Sequence, residues 1–363
     1  MQRFKSLSRR TQTLIVASLL VYIATWSLVG FAVGRKVAEA QEPKIKIGSL
    51  INTDLVPALA DFASPINGIW YTQAEAKSWK DRLPIAAVIE NHTDARPQSG
   101  FSKAEVVYET LAEGGITRTL AVYLSQDSTI GPVRSNRPYL LDWVSEYTAG
   151  YAHIGGSPLA QGLVKKYNIR DLDQFFLGAP TYQRTNHRFA PHNVYTSTSK
   201  LRGAAATKGY KGPVKIDSWL FTDEESKLAK RPKKFTLNLG FLGAFGYDVK
   251  WVYQPSSNIY LRFNGGVKHV DATTKKQLSA KTIIVQRVTV KPEPSGHSRI
   301  LLGTIGSGKV QIFRDGKVIT GTWKKKNRTS RTKFFDKSGK EILLNRGQIW
   351  VEVVPSDSRA NYK

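Results

Sequence analysis

The alternation of apolar and polar positions predicts strands in the first half of the chain. A short apolar, β-branched run at residues 82–91, bounded by proline and polar residues, is typical of a strand buried on both faces. Between residues 104 and 125, two similar runs flank Gly114-Gly115, which predicts a β-hairpin with a two-residue turn. A helix that begins at Ser102 is the alternative, because Ser102 and Glu105 match a capping box.

Two later stretches predict helices that follow turns. In GPVRSNRPYLLDWVSEY, residues 131–147, Pro138 suits the first turn of a helix and an apolar stripe follows it. YAHIGGSPLAQGLVKKY, residues 151–167, is typical of a strand, a tight turn and a helix. Ser157 is a good N-cap for that helix, and Pro158 is a good first residue.

From Thr236 onward, short alternating runs separated by Asn-Gly, Asp-Gly and Ser-Gly pairs predict a β-rich domain, either a small sandwich or a barrel. Within it, GTIGSGKV at residues 303–310 matches the first seven positions of a phosphate-binding loop. Val310 stands where Ser or Thr would bind magnesium, and the residues that follow alternate as in a strand. We therefore reject nucleotide binding.

The N-terminal region predicts a membrane anchor. Residues 12–34 contain no charged side chain, and a helix of that length spans a hydrocarbon core of roughly 30 Å. The basic residues that precede it place the N-terminus in the cytoplasm: Arg3, Lys5, Arg9 and Arg10. A cleaved signal peptide with an A-x-A site near residues 38–41 is the alternative. A retained anchor is favoured, because the apolar stretch is too long for a signal peptide and two charges intervene.

Together these elements predict an α+β protein in four parts. Residues 1–36 form a cytoplasmic tail and transmembrane helix, and residues 37–65 an extracytoplasmic tether. Residues 66–215 form a mixed α/β domain with a candidate polar site, and residues 216–363 a basic, β-rich domain.

Composition narrows the chemistry. An apolar fraction of 41% supports hydrophobic cores, and the absence of cysteine excludes disulfides, thiolate catalysis, cysteine-ligated zinc and a lipidated cysteine in this sequence. The net charge is +26, and residues 214–363 carry 29 basic and 12 acidic side chains. Such a surface favours anionic polymers or membrane headgroups, or is a general adaptation. The basic run at residues 322–333 is either part of that surface or a solvated loop.

Five carboxylates and two arginines lie at residues 90–118, between apolar strand-like runs. Alternate residues of a strand share a face, and a two-residue turn places Leu111 opposite Arg118. Glu109, Glu113 and Arg118 are then expected to converge on one face of the sheet. That face is either the floor of a polar pocket or a solvent-exposed surface with a salt bridge.

Other candidates lie beside predicted strand ends and helix starts. Arg134 and Arg137 precede a helix N-terminus, where the helix dipole disfavours cations, so they either bind an anion or pair with nearby glutamates. His153 ends a strand, where open α/β sheets bind ligands, although a structural histidine is equally expected. His192 and Asn193 lie in a loop-like stretch. HExxH and G-x-S-x-G motifs are absent, and no metal site is predicted.

Several motifs, in order, resemble the YerB-like family of bacterial envelope proteins. They are SPINGIW, IENHTDARPQSG, VYETLAEGGITR, GPVRSNRPY, HIGGSP and APHNVYTS, followed by QPSSNIYLRFNGGVKHVDATTKKQL and GQIWVEVVP. The resemblance implies an extracytoplasmic protein with an N-terminal and a smaller C-terminal domain, often lipid-anchored. It implies no agreed enzymatic activity. This chain departs from the family because an uncharged helix replaces the lipidated cysteine.

The sequence thus predicts a membrane-anchored extracytoplasmic protein that binds or processes a cell-wall or other anionic glycan. A non-catalytic scaffold or adaptor with a structural polar cluster is the alternative, and nucleic-acid binding is ranked last. The catalytic candidates for an enzyme are Glu90, Glu109 and His153. The ligand-binding candidates are Asn91, Arg96, Glu113, Arg118, Arg134, Arg137, Ser157, His192 and Asn193. The sequence identifies no cofactor.

Overall fold

A ten-stranded mixed sheet organises the part of the chain that a computed structural model describes, residues 62–225, 227–241, 245–294 and 296–363. The predicted transmembrane helix lies outside these residues. Among the helices that are described, none combines the length and the apolar character needed to cross a bilayer.

The strands are β1 Phe62–Ala63, β2 Trp70–Tyr71, β3 Ile85–Glu90, β4 Val106–Leu111, β5 Thr117–Tyr123, β6 Thr129–Ile130, β7 Gly150–His153, β8 Arg170–Asp173, β9 Gln183–Arg184, β10 Val194–Ser197, β11 Phe221–Thr222, β12 Thr236–Leu239, β13 Val249–Gln254, β14 Ile259–Asn264, β15 Val267–Lys268, β16 Ser279–Ala280, β17 Thr282–Val288, β18 Val290–Pro292, β19 Ile300–Leu302, β20 Gly306–Arg314, β21 Lys317–Lys325, β22 Lys333–Asp336, β23 Leu344–Asn345, β24 Ile349–Pro355 and β25 Ala360–Tyr362. The α-helices are α1 Gln73–Lys77, α2 Leu140–Tyr147, α3 Pro158–Lys166, α4 Gln174–Thr181 and α5 Thr198–Thr207. Short 3₁₀ turns are found at Thr93–Ala95, Phe101–Lys103, Glu113–Gly115 and Leu228–Lys230.

The large sheet combines strands from both halves of the sequence. Its order is β22-β21-β20-β17-β24-β4-β5-β3-β7-β8. β24 runs parallel to β4, and their register places Glu352 directly beside Glu109. Strands of the predicted α/β domain and of the predicted basic domain therefore share one hydrogen-bonded sheet.

The two faces of this sheet are covered differently. A second sheet, ordered β15-β14-β13-β12-β25 with β16 paired to β14, packs on one face, where Trp251 and Tyr260 share a core with Val107 and Trp350. On the other face α2 packs against the sheet. Mixed α/β structure with a β-rich C-terminal region is confirmed.

The predicted hairpin is confirmed, and the helix alternative at Ser102 is wrong, because β4 and β5 are antiparallel neighbours. The predicted register is wrong by one residue: Leu111 pairs with Thr117, and Thr110 pairs with Arg118. Five residues, 112–116, connect the strands instead of two. Since side chains alternate with a period of two, this shift places Glu109 and Arg118 on opposite faces of the sheet.

Both predicted helix starts are confirmed. α2 begins two residues after Pro138, and α3 begins at Pro158, with the Ser157 hydroxyl accepting a hydrogen bond from the Ala160 amide at 3.3 Å. The Ser157 cap of α3 and the proline before α2 act on neighbouring residues only, which is why these boundaries can be recognised in the sequence.

Part of the predicted basic run at residues 322–333 is buried against α2. The carboxylate of Glu146 accepts hydrogen bonds from Lys325 Nζ at 2.6 Å, from Arg331 Nη1 at 3.2 Å and from Thr332 Oγ1 at 2.6 Å. All three charged side chains are fully buried. These cations therefore hold α2 against the edge of the sheet, and they do not form a surface patch.

Replacing Glu146 with alanine is expected to destabilise the fold strongly, because it leaves two buried cations without their shared carboxylate. Breaking a buried ion pair in this way costs about 3–5 kcal/mol. The measurement is the free energy of unfolding by denaturant, with the exposed Asp357→Ala as the control. A Glu146→Ala protein as stable as the control would contradict this role.

Candidate functional site

The carboxyl ends of four parallel strands, β3, β4, β7 and β8, meet at one edge of the large sheet, together with the start of β5. Open α/β sheets bind ligands at such an edge. The segment 131–137 crosses it and forms bridges from Val133 to Ile89 and from Asn136 to Gly156. Seven sequence candidates lie here, and we call them the polar edge: Glu90, Glu113, Arg118, Arg134, Arg137, His153 and His192.

Glu90 is buried and has two partners. One carboxylate oxygen lies 2.9 Å from Nε of Arg134, and the other lies 3.0 Å from Nδ1 of His192. The guanidinium and the imidazole are partly exposed, at 27% and 15% of their side-chain surface, whereas Glu90 is 1% exposed. The structure therefore brings together three residues that are distant in sequence, with the carboxylate behind its partners.

Glu113 forms a second cluster with two arginines. Arg137 donates from Nε at 2.8 Å and also from Nη2, and Arg118 donates from Nη2 at 3.3 Å. Burial alone would raise the pKa of Glu113, but the guanidiniums of Arg118 and Arg137 outweigh burial and hold the pKa at about 2. Glu113 is therefore ionised at any physiological pH, which makes it an ion-pair partner and not a general acid.

His153 is fully buried at the end of β7. Its Nδ1 lies 2.8 Å from the carbonyl oxygen of Gly155, and its Nε2 lies 3.0 Å from a carboxylate oxygen of Asp171. Asp173, next to this ring, accepts hydrogen bonds from the amides of Gly155 and Phe175. The geometry matches a histidine that fixes the turn between β7 and α3.

Asn193 fastens the loop that carries His192. Its Nδ2 donates to the carbonyl of Thr185 at 3.1 Å, and its Oδ1 accepts from Arg184 at 2.7 Å. The ring of His192 stacks on that of His92, with centroids 4.7 Å apart. Asn193 thus positions the loop, and His192 faces the segment that follows β3.

Asn91 and Arg96 point away from the polar edge, towards the second sheet. Nδ2 of Asn91 donates to Glu109 at 3.0 Å, and its Oδ1 accepts from Asn264 at 2.9 Å. Arg96 donates to the backbone and side chain of Asn91 and to the carbonyl of Gly246, and it stacks 4.8 Å from the Tyr247 ring.

Glu109 belongs to a fully buried network between the two sheets. Arg262 of β14 pairs with Glu109 and, at 3.0 Å, with Glu352. It also donates from Nε to Nδ1 of His269 at 3.0 Å, and it packs on the rings of Trp251 and Trp350. None of the three charged side chains is exposed. We call Glu109, Arg262 and Glu352 the buried triad.

The buried triad holds two carboxyl groups and one guanidinium, and the pKa of one carboxyl group is raised. Burial, together with the charge of Glu109, outweighs the attraction of Arg262 and raises the pKa of Glu352 to about 8. Burial and the adjacent Arg262 lower the pKa of His269, so its ring is neutral. A neutral ring fits the contacts, because Nδ1 accepts from Arg262 while Nε2 faces Gln98 Oε1 at 2.8 Å.

Arg262, His269 and Glu352 were not among the sequence candidates. One signal could have indicated Arg262. It lies two residues from both Tyr260 and Asn264, so the three side chains share the buried face of β14. An arginine at such a position needs a buried acid as its partner. Which acid cannot be read from local pattern, because Glu109 is 153 residues away.

Several clefts of the described part lie away from the polar edge. Five of them have volumes from about 290 to about 530 Å³, and none of these five is lined by a sequence candidate. Two neighbouring clefts, of about 320 and 330 Å³, share Arg287 and Lys309 on β17 and β20. Among the described residues, neither lining includes an aspartate or a glutamate.

Comparison with known proteins identifies relatives over most of the chain. Residues 70–211 match the family model "Protein of unknown function (DUF3048) N-terminal domain", and residues 241–351 match its C-terminal domain. The Bacillus subtilis (strain 168) protein described as "Putative lipoprotein YerB" is 32% identical over 305 residues, which are 83% of this chain and 89% of that protein. The crystal structure of YerB from Bacillus subtilis superimposes with a TM-score of 0.74 at 30% identity, over 83% of this chain and 99% of that chain.

The raised pKa of Glu352 predicts a stability that falls as pH rises. The folded protein binds the Glu352 proton more tightly than the unfolded chain, whose pKa is near 4.5. The contribution of this proton to the free energy of unfolding is complete below pH 4.5. It is lost as pH rises through about 8, at up to about 1.4 kcal/mol per pH unit. Glu352→Gln has the shape of the protonated carboxyl group and cannot ionise. Its free energy of unfolding, relative to that of wild type, should therefore increase between about pH 5 and about pH 9.

The measurement is denaturant unfolding of both proteins across that range. Asp357→Asn, at an exposed position, is the control for removing one carboxylate. A constant difference between Glu352→Gln and wild type would show that Glu352 is not protonated in the folded protein.

Proposed function

This chain belongs to the DUF3048 family of YerB-like proteins, and we propose that it is an extracytoplasmic, membrane-associated protein that binds an anionic cell-envelope polymer without cleaving it. The surface that binds the polymer is a cationic face formed by Arg287, Lys309, Lys324 and Lys337. Binding of a cell-wall or other anionic glycan through this face is the function that the geometry supports best.

The location rests on a relative and on the N-terminal sequence. The Bacillus subtilis relative is described as a "Putative lipoprotein", which supports a membrane-associated position for this chain too. The sequence has no cysteine to carry a lipid, so the uncharged stretch at residues 12–34 serves as the anchor. The basic residues before it place the following chain outside the cytoplasm.

The arrangement of cations on β20 and β21 carries the proposal. Lys309 pairs in register with Thr322, and Ser307 with Lys324, so the two lysines are diagonal neighbours on one face. The alternate residues Val310 and Trp323 are buried on the α2 side, which leaves both lysines exposed on the opposite side. Lys324 also lies 5.1 Å from the ring of Phe335.

The chemistry of the two clefts fits a polymer with repeated anionic groups. Arg287 and Lys309 line both clefts, and Lys337 extends the positive charge along one of them. Gln311, Thr320 and Thr322 lie between these cations and offer hydrogen bonds to hydroxyl groups. A lysine ammonium is a point charge on a flexible stem, so it can follow the phosphates or carboxylates of a chain without strict geometry.

Binding without catalysis is favoured by the state of the predicted catalytic residues. Glu109 has no exposed surface and belongs to the buried triad. Glu90 and His153 are also buried, and each contacts two partners. A general acid or base must reach a substrate proton within hydrogen-bond distance, and the burial of these three groups disfavours that role.

Reversing two charges of the cationic face is expected to weaken polymer binding. In Lys309→Glu Lys324→Glu, fewer counterions are released on binding, so the dissociation constant should rise about tenfold or more and its salt dependence should flatten. The measurement is fluorescence anisotropy of labelled poly(glycerol phosphate) with the full-length protein in detergent, over a series of salt concentrations.

Lys268→Glu Lys276→Glu makes the same change in net charge at exposed positions outside the two clefts, and should bind nearly as wild type does. An equal loss in this control, or no binding by wild type, would contradict the proposal. Mass spectrometry of the polymer after incubation separates binding from processing: an intact polymer is expected, and shortened chains would show an enzyme.

A further inference from the structure

We propose that His92, Asp94 and His192 bind one divalent transition-metal ion between two loops beside the polar edge. A ligand atom from each of the three residues lies within 4.8 Å of those of the other two. Nδ1 of His92 is 3.6 Å from a carboxylate oxygen of Asp94. That distance is close to the roughly 3.3 Å that separates two ligands about 2 Å from a tetrahedral ion.

Glu90 positions one of the ligands. Its carboxylate lies 3.0 Å from Nδ1 of His192, which places a hydrogen on that nitrogen and leaves the lone pair of Nε2 for a metal. Glu90 is itself 1% exposed and paired with Arg134, so its orientation is fixed. A carboxylate behind a histidine is the usual second layer of a metal site, because it fixes the ring and raises its basicity.

The two loops are already tied together. Arg188 donates from Nη1 to the carbonyl of Asp94 and from Nη2 to that of Pro97 at 2.8 Å, across about 90 residues of sequence. Asn193 holds the other end of its loop by two hydrogen bonds. Little additional ordering is therefore needed when an ion binds, and this favours affinity.

The charges and the ligand types suit a transition metal. Glu90 pairs with Arg134, and Arg188 donates to the Asp94 carbonyl, so each acidic residue lies near a guanidinium. Two imidazoles and one carboxylate favour Zn²⁺, Cu²⁺ or Ni²⁺ over Mg²⁺ and Ca²⁺. Three protein ligands also leave a coordination position for water or another ligand.

One side chain must move when the ion binds. The rings of His92 and His192 are stacked at 21° to each other, whereas a metal lies in the plane of each imidazole that binds it. The side chain of His92 is 36% exposed, and its Nδ1 accepts a hydrogen bond from the Asp94 amide at 3.3 Å. Its ring can therefore turn about the side-chain bonds, while His192 stays against Glu90.

The test is calorimetric titration of Zn²⁺ into the untagged, chelator-treated full-length protein in detergent. We expect one equivalent to bind, and the absorption spectrum of added Co²⁺ to show imidazole ligands. His92→Ala and His192→Ala should each lower the affinity more than Glu90→Gln does, for which about 10- to 100-fold is expected. His297→Asn is the matched control, at an exposed position with left-handed backbone that asparagine tolerates.

The proposal is overturned if wild type takes up no Zn²⁺, or if His92→Ala and His192→Ala bind it as wild type does. An equal loss in His297→Asn would show adventitious binding to surface histidines and would overturn it as well. Far-UV circular dichroism confirms folding of each variant. If Glu90→Gln does not fold, the two histidine variants decide, because both side chains are partly exposed. None of these results depends on polymer binding.

Discussion

A single buried arginine determines how the two sheets fit together. Parallel pairing of β4 with β24 places Glu109 and Glu352 side by side in a dry interior, where two negative charges would repel, and the raised pKa of Glu352 keeps that carboxyl protonated at neutral pH. Arg262 reaches them from the second sheet, and Trp251 and Trp350 cover its planar faces. Apolar contacts tolerate small shifts between sheets, whereas one guanidinium between two carboxylates does not. The buried triad therefore mainly fixes the position of one sheet relative to the other, and its charges add little net stability.

This network decides which polar residues remain available for function. Glu109 and Asn91 were expected in a surface pocket, and both are instead bonded inside the protein. At the polar edge, Glu90 pairs with Arg134 and Glu113 pairs with Arg137, which is the alternative to anion binding that the sequence left open for these arginines. The strands β20 and β21 differ from the polar edge. The linings of their two clefts contain cations and, among the described residues, no aspartate or glutamate to pair with them.

Local chemistry could be predicted from the sequence, and long-range pairing could not. The starts of α2 and α3 and the existence of the β4–β5 hairpin follow from residues within one turn of each other. The prediction that Glu109 and Arg118 converge was wrong because five residues, and not two, connect β4 to β5. The change moves every residue of β5 to the opposite face of the sheet. No local pattern indicates that β24 lies beside β4, so Glu352 was missed, and the partners of Arg262 could not be identified.

In the cationic face, exposed side chains can be replaced while buried side chains of the same strands hold the sheet in place. On β21, Trp323 packs under α2 and donates a hydrogen bond to the Arg287 carbonyl, while Lys324 points to solvent. Alternation along the strand thus separates residues that hold the sheet from residues that set its charge. If this face is the polymer site proposed above, substitutions at its exposed positions can change the preferred anionic ligand without disturbing the core. The proposed metal site of His92, Asp94 and His192 differs. Its ligands depend on buried Glu90 and on two loops joined by hydrogen bonds, so its geometry is coupled to the fold.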